Sequence, residues 1–182
     1  MADPSYDDLC VGRCDHTESL QLDYDPQEVS YEELLEIFWE SHSPSRPAGC
    51  AQYMSAIFYH DKAQKKAAKS SKTAVEKKYG KPLHTKLLPA KGTFWVAEDY
   101  HQKFYLRRHN GGALLDMLGF TSEAELRDSP VATKLNAYVQ NKGSLAQLQR
   151  EMGSFNLSNE ARDYLLDFVQ RMEATKCKLQ AA

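Results

Sequence analysis

With 182 residues, 42% of them apolar and 26% charged, the chain has the balance of an ordinary globular protein, enough for one domain with a core or a small domain with a helical appendage. A net charge of -2 gives the molecule as a whole no electrostatic reason to bind nucleic acid or an anionic membrane. No apolar run approaches the roughly 18 residues of a membrane span, and the first stretch is acidic rather than basic-then-apolar, so the sequence reads as soluble and cytoplasmic.

Thr17 to Tyr24 alternates, with Leu20, Leu22 and Tyr24 on one face and Gln21 and Asp23 on the other. That period predicts a half-buried strand whose apolar face also carries Glu18. Asp25 and Pro26 end it. Ser30 with Glu33 three positions later makes a capping box, and Val29 and Leu34 are placed as its hydrophobic staple. A helix is therefore expected from Tyr31 to about His42, with Tyr31, Leu34, Leu35 and Phe38 as its apolar stripe and Pro44 and Pro47 beyond its end.

Tyr53 to His60, rich in aromatic and branched residues, predicts a second strand. Asp61 can cap the helix that follows, which carries Lys62, Lys65, Lys66, Lys69, Lys72, Lys77 and Lys78 and stops at Gly80 before Pro82. Its lysines read as a solvated face in preference to a phosphate site. His84 to Leu88 is expected to form a short third strand, and Ala97 to Arg107 another helix. From Gly111 onward the pattern changes to short capped helices without strands. Ser129 precedes a first-turn Pro130, Ser144 precedes Gln147 in a capping box, and Ser158 opens the longest helix, whose stripe is Ala161, Tyr164, Leu165, Phe168, Val169 and Met172.

Cys10, Cys14, Cys50 and Cys177 are scattered without zinc-site spacing and read as free thiols. His42 and His60 have no ligand spacing, and Asn110 to Gly112 lacks the strand-loop-helix setting of a phosphate loop, so metal and nucleotide chemistry find no support.

Four blocks then combine. Pro4 to Glu18 (PSYDDLCVGRCDHTE), Tyr24 to His42 with its SYEELLEIFWESH run, Gln52 to Ile57 (QYMSAI) and Ala97 to Lys103 (AEDYHQK) together resemble the peptide methionine sulfoxide reductase A family, in family order over roughly residues 4 to 105. The remainder of the chain, including residues 129 to 138, is similar to a helical C-terminal extension of some animal members. The resemblance implies an α+β fold: a partial ferredoxin-like, split β-α-β core over residues 1–110 lacking its first strand and helix, then an all-helical region over 111–182.

The resemblance also implies a chemistry. Such enzymes reduce the S-epimer of methionine sulfoxide, free or in proteins, as protein repair under oxidative stress. A cysteine thiolate attacks sulfur, a carboxylic acid helped by tyrosine hydroxyls protonates oxygen, and the sulfenic acid is cleared by a second thiol and then by thioredoxin or another dithiol, with no bound cofactor. Glu18 matches the family acid, and an apolar strand face around it would raise its pKa and keep it a proton donor. Tyr53 matches a tyrosine that helps hold the sulfoxide oxygen.

Elsewhere the pattern departs. Where the family usually reads Asp-x-Gly-Thr before the Gln-Tyr pair, this chain reads Ala48, Gly49, Cys50 and Ala51, and Met54 stands where an arginine is common. The Gly-Cys-Phe-Trp-Gly and Gly-Tyr-x-Gly-Gly blocks, which bring the family nucleophile and a second tyrosine, would fall before Met1. Cys14, four positions ahead of Glu18, is then the substitute nucleophile to consider, and Cys177 the resolving thiol. Three expectations follow: a piece or short isoform of a working reductase, a non-catalytic descendant that binds methionine-containing peptides or partners, or a reductase rebuilt around Cys14. A core lacking its central strand would also leave sheet edges unpaired and so be marginally stable, rearranged or dimeric.

Overall fold

The computed structural model describes residues 16–108 and 110–180. The chain divides into two compact units, Met1–Trp95 and Val96–Ala182, each with its own hydrophobic cluster.

In the first unit, α1 spans Tyr31–Glu40, and the capping box foreseen at its start is fully formed. The Ser30 hydroxyl accepts from the Glu33 amide at 3.2 Å, while the Glu33 carboxylate accepts from the Ser30 amide at 2.8 Å. Ser30→Ala removes the acceptor for one helix-end amide and the anchor for a carboxylate, so a loss of about 1 kcal/mol is expected in denaturant unfolding. No measurable loss would mean that the box is not formed in solution.

Strand β1 covers Ala56–Tyr59, helix α2 Lys62–Tyr79 and strand β2 Lys86–Pro89. The two strands pair in parallel, Ala56 opposite Lys86 through Tyr59 opposite Pro89, with α2 as the crossover, so this part of the chain is a β-α-β unit of an α+β protein. Asp61 caps α2 through the Gln64 amide at 2.8 Å, and Gly80 ends it at φ 66°, the left-handed geometry that glycine adopts without a Cβ penalty. Leu35 and Trp39 of α1, Ile57, Ala68 and Leu83 form the core, and the fully buried Ala68 lets the helices approach closely. The Trp39 indole N–H donates to the Ser71 hydroxyl at 3.1 Å.

One expected element is absent here and another is shortened. Thr17 to Tyr24 is not a strand: it runs as irregular chain, and Leu20 is 82% exposed. Alternation supplies an apolar face only where a neighbouring strand completes the ladder, and no strand of the described residues pairs with this segment. The buried setting expected around Glu18 is accordingly not formed. The second strand is also shorter than Tyr53–His60, because a turn closed by the Met54 amide on the Ala51 carbonyl takes up its first residues.

In the second unit, Ala97 to Arg107 is not a helix either. Only a 3₁₀ turn at Asp99–His101 forms, Lys103 takes φ 51°, and the Tyr105 and Leu106 amides both donate to the Asn136 side-chain oxygen at 3.0 Å. Helical carbonyl acceptors are thereby replaced by one side chain about 30 positions away. Five helices follow: α3 Asn110–Leu118, α4 Glu123–Asp128, α5 Pro130–Val139, α6 Leu145–Glu151 and α7 Asn159–Gln180. Ser129, Ser144 and Ser158 each accept from the amide three residues on, as their spacing foretold. Ala161, Leu165, Phe168 and Val169 of α7 are buried against Leu106, Leu114, Leu135 and Leu148.

Tyr138 lies in the same core and donates its hydroxyl to Glu151 at 3.0 Å. Burial first, then that hydrogen bond and the carboxylate charge, push the phenol up from 10.0 to about 12. A pKa raised on folding stabilises the fold fully below pH 10 and progressively less as pH rises through 12. Stability measured against Tyr138→Phe should therefore converge between pH 10 and 12. Parallel curves across that window would show that Tyr138 ionises as freely folded as unfolded.

Candidate active site

Irregular chain at Thr17 and Glu18 is pinned to the turn before β1. The Thr17 hydroxyl donates to the Ala51 carbonyl at 3.1 Å, and the Glu18 amide to the Gln52 carbonyl at 3.0 Å. In return the Gln52 side-chain amide donates to the Glu18 carboxylate at 2.8 Å. Gln52 is buried, and this hydrogen bond orients a carboxylate that otherwise faces water. Residues 34 apart in sequence are thus held together by a reciprocal pair of contacts.

Tyr53 follows Gln52 in the turn and is 60% exposed, which corrects the expectation of a strand-face side chain. The turn directs neighbouring side chains oppositely, Gln52 inward and Tyr53 outward. A carboxylate that can carry a proton and a phenol that can donate a hydrogen bond consequently stand on adjoining, solvent-open segments. Cys50, an exposed free thiol, lies two positions before Gln52. Cys10 and Cys14 lie outside the described residues. So does the side chain of Cys177, whose backbone belongs to α7.

Behind this turn sits a polar chain that the sequence did not single out. The Ser55 hydroxyl lies 2.8 Å from His42 Nε2 and 2.8 Å from the Thr85 hydroxyl, while His42 Nδ1 lies 2.7 Å from the Phe38 carbonyl. A carbonyl only accepts, so Nδ1 donates to Phe38, and Ser55 links Nε2 to the Thr85 hydroxyl as a group that can both donate and accept. The Thr85 carbonyl in turn accepts from the Lys72 ammonium at 2.8 Å. His42 and Ser55 each fall within a stretch that carries the family resemblance, but nothing in their spacing connects them to Thr85.

Of the fourth block, Glu98 and His101 approach to 3.8 Å within the second unit, and Tyr100 packs on the His101 ring at 4.3 Å. Among the described residues no group of three or more His, Cys, Asp or Glu side chains could hold a metal ion. No helix among them is long and apolar enough to cross a membrane.

The sequence model of the peptide methionine sulfoxide reductase family matches residues 1–135. A Drosophila melanogaster peptide methionine sulfoxide reductase is 36% identical over 160 residues, 87% of this chain and 64% of that protein. A Streptomyces griseus protein of the same name is 45% identical over 120 residues, 60% of this chain and 53% of its own length, and one from Methanoculleus marisnigri is 40% identical over 118 residues, 61% and 71%. The chain thus spans between about half and seven-tenths of these relatives. The fly alignment covers more of the chain than residues 1–135 do, so it reaches into the second unit. Both halves of the Glu18 and Gln52 contact fall within the matched residues, and the chain belongs to the peptide methionine sulfoxide reductase family.

Proposed function

We propose that the chain serves the thiol-dependent reduction of methionine S-sulfoxide, in peptides or as the free amino acid, back to methionine. The observation that carries this reading is the carboxylate of Glu18 fixed by Gln52 beside the turn that presents Tyr53. Glu18 is the proton donor to the sulfoxide oxygen and Tyr53 the hydroxyl that steadies it. A thiolate adds to the sulfoxide sulfur as its oxygen is protonated; that oxygen then passes to the cysteine sulfur as the sulfur–sulfur bond breaks, which leaves the thioether and a cysteine sulfenic acid. Two further thiols return that cysteine to its reduced state with release of water and are themselves oxidised to a disulfide. In this chain Cys14 is the thiol assigned to attack and Cys177 the one assigned to clear the sulfenic acid, with thioredoxin or another dithiol as final reductant. No other cofactor enters that balance.

On this reading residues 1–110 are a reductase-type portion of ferredoxin-like, split β-α-β kind, residues 111–182 are a helical extension, and the protein repairs oxidised proteins in the cytoplasm. The test is incubation of the 182-residue chain with S- and R-sulfoxide peptides in excess dithiothreitol, followed by mass. Turnover of the S-epimer alone, lost in Cys14→Ser and kept in Cys177→Ser, is the expected result, since dithiothreitol replaces the resolving thiol. A folded chain that turns over neither epimer would remove the proposal.

A further inference from the structure

The chain is nearly neutral overall, but its charge is strongly segregated. From His60 to Lys91 the sequence holds ten lysines and two carboxylates, whereas from Asp15 to Ser45 it holds nine carboxylates and no lysine or arginine. Most of the positive segment is helix α2. Between Lys62 and Lys78 the exposed positions are six lysines, 62, 65, 66, 69, 77 and 78, separated only by Ala63, Ser70, Thr73 and Ala74. Neither carboxylate offsets that face, because Asp61 is bound to the Gln64 amide and Glu76 faces Lys72 and the Leu83 amide.

Such a face is costly to the helix that bears it. Lys62 with Lys66, and Lys65 with Lys69, are like charges one turn apart, and Lys62 and Lys65 sit at the positive end of the macrodipole in a first turn without acids. Lys65 rests over the Tyr59 ring at 5.3 Å, and Lys72 is drawn inward to the Thr85 carbonyl. Lys62, Lys66, Lys69, Lys77 and Lys78 make no ion pair among the described residues. A like-charged face with no ion pair among the described residues leaves its charge to solvent ions or to a partner of opposite sign.

We propose that the exposed face of α2 is a docking surface for a short acidic segment of another protein. From Lys62 to Lys77 the ridge runs about 22 Å, the length of about seven residues in extended conformation. Small side chains between the lysines leave room for a peptide backbone to lie along it. A run of stacked bases would need a series of aromatic platforms, and this face offers Tyr79 at its end and the Tyr59 ring that Lys65 covers. A membrane surface would need a large apolar flank, which alanine, serine and threonine do not supply. The acidic stretch before Ser45 would also repel a long polyanion extending past the ridge. This surface stands apart from the sulfoxide chemistry and does not depend on it.

The test is fluorescence anisotropy of the full chain with a labelled eight-residue peptide alternating glutamate and glycine. Binding is expected to weaken about tenfold between low salt and several hundred millimolar, and about tenfold in the triple variant Lys62→Gln, Lys66→Gln, Lys69→Gln at low salt. The matched triple Lys91→Gln, Lys134→Gln, Lys142→Gln makes the same change of net charge elsewhere and should bind as the parent does. Circular dichroism checks that the first triple stays folded, which relief of like-charge repulsion favours. Equal loss in both triples, salt-independent binding, or tighter binding to a single-stranded oligonucleotide or to phosphatidylserine vesicles than to the peptide would each overturn the proposal.

Discussion

Glu18→Gln is expected to lower S-sulfoxide turnover by about 10²- to 10⁴-fold, the range lost when a positioned proton donor is removed. Glutamine keeps the shape and can still accept from the Gln52 side chain, so the segment that carries Thr17 and residue 18 should stay docked on the turn. The loss would then fall on proton delivery to the sulfoxide oxygen and not on the fold. A companion variant, Gln52→Ala, removes the hydrogen bond that orients the carboxylate while leaving its acidity available, and should give a smaller loss. Equal activity of Glu18→Gln and parent would take the proton donor away from Glu18 and leave the exposed carboxylate as a surface group held by a buried amide.

Leu165→Ala carries the largest expected effect on stability. Leu165 is fully buried on α7, among side chains from α3, α5 and α6, so truncation removes its transfer free energy and leaves a void that surrounding helices only partly fill. A loss of about 2–5 kcal/mol is expected in denaturant unfolding followed by helical signal. Gly143 marks how tightly the same region is packed, since a Cβ built there would meet the Tyr138 ring. A loss under about 1 kcal/mol would show that α7 does not pack on its neighbours in solution, and with it the second core would lose its centre.

What the sequence made legible was whatever is decided within a few residues. Ser30 with Glu33, Asp61, Gly80, Ser129 and Ser144 act on their own helix ends, and each does so in the structure. The α7 stripe was equally plain, because its period repeats over several turns. The Thr17 to Tyr24 strand failed because a strand is completed by its partner, and periodicity carries no news of one. The Ala97 to Arg107 helix failed because Asn136 captures two of its amides from another part of the chain. At the site, family resemblance brought out Glu18 and Tyr53. Gln52, which orients Glu18, and the links from His42 through Ser55 to Thr85 are contacts between segments far apart in sequence, and nothing local announces them.

Those last links bear on how the first unit comes apart. One imidazole and two hydroxyls join the end of α1 to the residues that lead into both strands, so separating β1 from β2 also releases the helix end. Local opening of any one of the three is then discouraged by the other two, and the amides of the strands and of the α1 terminus should exchange with solvent deuterium together, as a single foldon, while the irregular chain from Gln21 to Asp25 exchanges at once.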